Sequence, residues 1–221
     1  AHRAPGGIRM AELIRGLEPD RVRENLAAVR AEIGSDAVEV VAAVKYVALE
    51  ELGALVEAGV THAGENRAQD LVAKAATDAG ARLTWDFIGQ LQSRKVKQLL
   101  PHVRLIHSVA SHSALEQLGR HAAPDVEVLV EVNVAEEEGK GGVAPAELDA
   151  FIAACPVRVT GLMTMPPFVE RAEDSRRWFA ALAQLAADRG LPRLSMGTTQ
   201  DYAVAAQEGA TIVRVGTRLF R

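Results

Sequence analysis

Eight short runs rich in β-branched residues recur along this chain, and helical patterns fill the intervals between them. The runs are VEVVAAVK (38–45), VTHAGEN (60–66), TWDFIG (84–89), RLIHSV (104–109), VEVLVEVN (126–133), VRVTGLM (157–163), RLSMG (193–197) and TIVRVG (211–216). A first long helical pattern covers 10–33. Others fall near 48–58, 67–79, 91–100, 111–121, 145–154, 171–189 and 200–208. Ser111 and Pro145 stand where an N-cap and a first-turn residue belong. Gly34, Gly59, Gly80, Gly190 and Gly209 stand where helices should stop.

Two architectures accept such an alternation. A doubly wound open sheet normally carries a glycine-rich dinucleotide turn after its first strand, and YVALEE at 46–51 has nothing of the kind. A closed (β/α)8 barrel, usually of roughly 250 residues, fits the strand count and the length. The expected fold is therefore α/β: a single (β/α)8 TIM-type barrel domain over 1–221, with an added N-terminal helix. Residues 1–9, AHRAPGGIR, precede the first methionine, Met10, and are read as a processed or appended end.

The balance of 25 basic and 29 acidic residues and a net charge of −4 argue against a generic nucleic-acid or membrane-surface role. No apolar run approaches the about 20 residues of a membrane helix, and no signal-peptide core is present. One cysteine, Cys155, excludes an intramolecular disulfide and suits a reducing compartment. A cytoplasmic protein is expected, and a monomer. The six histidines show no metal-ligand spacing, so no metal is expected.

In a barrel of this kind the active site is built at the C-terminal ends of the strands, and polar and glycine residues gather there in this chain. Ser195, Gly197, Thr198 and Thr199 lead from the seventh run into a helical pattern, and Gly216 and Thr217 follow Arg214 after the eighth. Small residues let backbone N–H groups approach an anion, so these turns read as a phosphate cradle; capped turns without a ligand are the other reading. Lys45 ends the first run. It reads either as an amine for Schiff-base formation with a phosphorylated carbonyl compound or as a solvated lysine at a strand end.

The segments GEN (64–66), FIGQLQSRK (87–95), IHSV (106–109), EVNVAEEEGKGGV (131–143), GLMTMPP (161–167), SMGTTQD (195–201) and VRVGTRLF (213–220) are together similar to the pyridoxal phosphate homeostasis protein family. The resemblance runs from about residue 20 to the end. It implies the fold type III PLP-binding barrel, related to the N-terminal domain of alanine racemase. It places on Lys45 the lysine that forms the aldimine with pyridoxal 5'-phosphate (PLP). Asn66 falls in the cofactor pocket, Arg214 on the arginine facing the pyridine nitrogen, and Ser195, Gly197, Thr199, Gly216 and Thr217 on the phosphate-binding turns. Lys140 matches a lysine expected at the pocket rim. The chain departs from the family pattern at Tyr46, at Asp86 (often His) and at Arg94 (often Asn).

An arginine at the ring nitrogen can only donate a hydrogen bond to it, which keeps the nitrogen unprotonated and leaves the ring a poor electron sink. A racemase of this fold pairs its lysine with a tyrosine from a second domain. The tyrosines here are Tyr46, expected to point away from the cofactor, and Tyr202, expected to pack. No catalytic residue is assigned. The expected function is PLP binding and delivery, with apo PLP enzymes as recipients and amino- and keto-acid pools kept in balance. An amino-acid racemase is the alternative. A Schiff-base aldolase is disfavoured because the sixth run carries no lysine.

Overall fold

The computed structural model describes residues 13–221, so the expectations for residues 1–9 and for the start of a helix at 10 lie outside the described residues. Eight parallel strands close into a barrel in chain order: β1 (Glu39–Ala43), β2 (His62–Glu65), β3 (Thr84–Phe87), β4 (Leu105–Val109), β5 (Glu127–Glu131), β6 (Arg158–Met163), β7 (Arg193–Thr198) and β8 (Ile212–Val215). β1 pairs with β8 as well as β2, which closes the ring. The expected (β/α)8 barrel is the observed fold.

Successive residues on a strand point to opposite faces, so each run feeds two cores at once. Val41, Leu105, Leu129, Met163 and Ile212 meet inside the barrel. Their neighbours Val40, Ala42, Ile106, Val128 and Val213 face outward into a larger layer shared with the helices. That double burial is why these strands read as near-continuous apolar runs.

The helices are α1 (Pro19–Ile33), α2 (Leu52–Glu57), α3 (Ala68–Ala75), α4 (Val96–Leu99), α5 (His112–His121), α6 (Leu148–Ala154), α7 (Arg176–Ala187), α8 (Tyr202–Gln207) and α9 (Thr217–Phe220). Ser111 caps α5 as expected, its Oγ accepting from Ala114 N at 3.2 Å. Gly80 does not end a helix; it opens a short 3-10 turn after α3 has stopped at Ala75. The first helix also starts later than expected, at Pro19. Before it, Ile14 pairs alongside Val47, with Ile14 N–H donating to Tyr46 O (2.6 Å) and Ala48 N–H to Ile14 O (3.1 Å). Gly16, at φ +70, cannot continue a helix cheaply, and Glu51 takes the N–H groups of Gly16 and Leu17 at 2.8 Å each. An extended segment thus lies against the turn that follows β1.

Candidate functional site

β1 stops at Ala43, so Lys45 and Tyr46 sit in a turn rather than on a strand. Strand alternation therefore does not separate them, and both line one cavity of about 370 Å³ at the C-terminal mouth of the barrel. This corrects the expectation that Tyr46 faces away. The Lys45 ammonium lies 4.6 Å from the centre of the Tyr46 ring, a cation–π contact on an exposed lysine. Asn66, Thr199, Arg214, Gly216 and Thr217 line the same cavity. Six of the eight residues expected at the site are thereby brought together.

Ser195 and Gly197 are not on the cavity wall. Gly197, at φ +91, lets α8 pack close behind the turn: a Cβ there would lie 2.5 Å from Ala205 Cβ. Ser195 is fully buried and bonded to Arg214 and His107.

The two last turns are braced together, Gly216 N–H donating to Thr199 Oγ1 at 2.9 Å. Asp201 holds Thr198 N–H at 2.8 Å. The N–H groups of Thr199 and Gln200 have no acceptor among the described residues and remain available to an anion. Tyr202 packs, as expected, with its hydroxyl on Glu32.

Arg214 is 4% exposed, and all its acceptors are neutral: Ser195 O (3.1 Å) and Oγ (2.6 Å), Thr164 O (2.9 Å) and Met165 Sδ (2.9 Å). Burial pushes its pKa down to about 10, although Glu131 and Asp201 oppose the shift. It stays charged at neutral pH, and its Nε–H has no partner among the described residues. Glu131, on the mouth end of β5, is half-buried, and desolvation raises its pKa from the usual carboxylate value, with Arg214 and Lys140 pulling the other way. Lys140 itself pairs with Glu137 on the loop after β5.

Two buried polar groups hold this site from beneath. In the first, Lys74 of α3 donates to Glu65 Oε2 (2.6 Å) and to Val44 O (2.6 Å), while Glu65 Oε1 accepts from Asn66 N (2.7 Å). One ion pair thus fastens the residue before Lys45 to the residue before Asn66. Gly89 completes the clamp, since a Cβ there would fall 2.1 Å from Asn66 O.

The second is a chain through the barrel interior. Arg104 grips Asp86 with two bonds (3.0 and 2.7 Å), and Asp86 Oδ2 lies 3.0 Å from His107 Nε2. His107 Nδ1 lies 2.8 Å from Ser195 Oγ. Arg214 can only donate to Ser195 Oγ, so the serine proton points to His107 Nδ1, and the histidine proton sits on Nε2 facing Asp86. His107 is therefore neutral. Burial depresses its pKa below 6.5 against the pull of Asp86. Burial alone would raise Asp86, but His107 and Arg104 outweigh it and hold the carboxyl below its usual range.

A neutral buried histidine loses stability on acidification, because the unfolded chain binds its proton first as pH drops below 6.5. Multiple-bond ¹H–¹⁵N NMR should show His107 as the neutral Nε2–H tautomer at pH 7, with unfolding eased by acid below about pH 6.5. A cationic or Nδ1–H ring at pH 7 would contradict the assigned chain of bonds.

Sequence reasoning left Glu65, Lys74 and His107 without a role and Asp86 in doubt. The available signal was a charged or imidazole side chain inside a β-branched run; Lys74, on a helix, gave none.

The closed parallel barrel with a lysine and an arginine at its mouth defines a protein of the alanine racemase N-terminal domain family, which residues 17–221 match. More narrowly, the chain belongs to the pyridoxal phosphate homeostasis proteins. The protein of that name from Aquifex aeolicus is 40% identical over 215 residues, covering 90% of this chain and 94% of that one. PipY of Synechococcus elongatus, solved with PLP bound, is 32% identical at a TM-score of 0.78, covering 90% of this chain and all of that one. Alanine racemase from Corynebacterium glutamicum shares the fold, at a TM-score of 0.69 and 14% identity, and this chain covers 62% of it.

Proposed function

We propose that this protein binds PLP as a Schiff base on Lys45 and serves intracellular PLP homeostasis and amino-acid/keto-acid balance, with little or no turnover. The observation that carries this reading is that Lys45 and Arg214 share a cavity with no Asp or Glu in its lining. A phosphorylated aldehyde supplies what each of these groups lacks. The donors of the β7 and β8 turns would hold its phosphate, and the amine of Lys45 would meet its carbonyl carbon. The unpaired Nε–H of Arg214 suits a ring nitrogen that accepts. Asn66 Oδ1, buried with no hydrogen-bond partner, suits a ligand hydroxyl. The relative solved with PLP bound supports the same ligand.

PLP, when bound, supplies an electron sink; an arginine at the ring nitrogen withholds the proton that would strengthen it. That favours a binding role over rapid catalysis. Ser195, Gly197 and the chain through His107 are read as supports of Arg214 and of the phosphate turn. Delivery to apo PLP enzymes, a monomeric state and a cytoplasmic setting belong to this proposal. No helix among the described residues is long and apolar enough to cross a membrane.

The test is borohydride reduction of the protein mixed with PLP, followed by peptide mass mapping. One pyridoxyl group per chain is expected, on the peptide carrying Lys45, and alanine offered to the loaded protein should keep its configuration. A protein that takes up no PLP would end the proposal, and rapid racemisation would replace it with the racemase reading.

A further inference from the structure

Beside the coenzyme cavity lies a second cleft of about 320 Å³, and Asn66 lines both. Its cations are Arg67, Arg94 and Lys95, and its carboxamides are Gln69, Gln90 and Gln92. The chain carries 29 acidic residues, yet none is in this lining. Among the described residues no carboxylate lies within 4.0 Å of any of the three cations, whereas most other surface arginines here are paired. Gln92 Oε1 accepts from Arg94 Nε (3.2 Å) and Nη2 (3.1 Å), which fixes the guanidinium and leaves Nη1 free. The cleft is a set of convergent donors with its counter-charge missing.

The closed strand order fixes where it stands. Going round the rim come the β7 turn (Thr199), the β8 turn (Thr217), Lys45 after β1, Asn66 and Arg67 after β2, and Gln90 to Lys95 after β3. Lys45 is therefore flanked by the anion-binding turns on one side and by the basic cleft on the other. We propose that the cleft is an anion subsite for a small dicarboxylate, meaning an amino or 2-oxo acid whose acid groups lie there while its amine or carbonyl end points to Lys45. The Arg67 guanidinium, the free Nη1 of Arg94 and the Lys95 ammonium supply the charge for two carboxylates, and the carboxamides add neutral donors. The orientation toward Lys45 rests on the reading of that residue as the coenzyme anchor; the subsite itself does not.

The test uses glutarate as the probe, titrated calorimetrically into the PLP-free full chain at low salt. The wild type is compared with Arg67→Gln/Arg94→Gln/Lys95→Gln and with a control of equal charge loss, Arg30→Gln/Arg82→Gln/Arg120→Gln. One saturable equivalent is expected for the wild type, at least a tenfold weaker association for the cleft variant, and a change under twofold for the control. PLP uptake should be the same in all three. Equal glutarate binding by wild type and cleft variant overturns the subsite, as does an equal loss in the control, which would mean general charge screening only. Failure of PLP uptake with glutarate binding intact would instead overturn the coenzyme assignment and leave the subsite standing.

Discussion

Replacing Lys45 by alanine is expected to remove all borohydride-reducible absorbance from the protein mixed with PLP, with no pyridoxyl group recovered on any peptide. Lys45 is the one lysine in the coenzyme cavity lining. Lys95 faces the neighbouring cleft, and Lys74 is committed to Glu65 and Val44. The substitution is exposed and fills no core space, so folding should be unaffected. Reversible binding should survive, because Arg214 and the two turns are untouched. If the variant still yields one trapped pyridoxyl group per chain, the anchor lies elsewhere and the peptide map will name it.

Replacing Lys74 by methionine is expected to destabilise the fold by about 3–5 kcal/mol, the usual cost of leaving a buried carboxylate without its partner. In a chain of this size that lowers the melting temperature by roughly 6–20 °C. Glu65 is fully buried, and Val44 O loses its donor at the same stroke. Lys74→Met combined with Glu65→Gln should recover part of the loss, since the stranded charge is gone. A melting temperature within 2 °C of the wild type for the single variant would mean that water reaches Glu65. The damage should extend to function, because the pair joins the backbone before Lys45 to the backbone before Asn66.

The barrel was legible because each strand had to be apolar on both faces, and β-branched runs of that kind leave few alternatives. Boundaries were legible only where a local signal existed. Ser111 announced α5, but nothing in MAELIRGLEP (10–19) announced that Ile14 would pair with Val47; the helix-like spacing there was overruled by Gly16 and by Glu51. Lys45, Asn66 and Thr217 could be placed because they follow strand ends closely, and Arg214 because it stands one residue before the end of β8. Ser195 and Gly197 could not be told from cavity residues, since their work depends on which face of β7 they occupy. The pairing of Asp86 with His107 and of Glu65 with Lys74 joins residues 21 and 9 positions apart, and such partnerships exist only once β3 lies beside β4 and α3 has folded back on β2.

The ammonium beneath Val44 has a kinetic meaning for the proposed binding of a coenzyme on Lys45. With the main chain pinned there, the excursion of the Lys45 amine to and from the Tyr46 ring is a rotation about its own four-carbon stem. On the proposed reading, the covalent step of loading would need no main-chain movement at this position, and breaking one carbon–nitrogen double bond would return the coenzyme to its reversible hold on Arg214 and the two turns. A free amine small enough to enter the mouth would then compete with Lys45 for the carbonyl carbon.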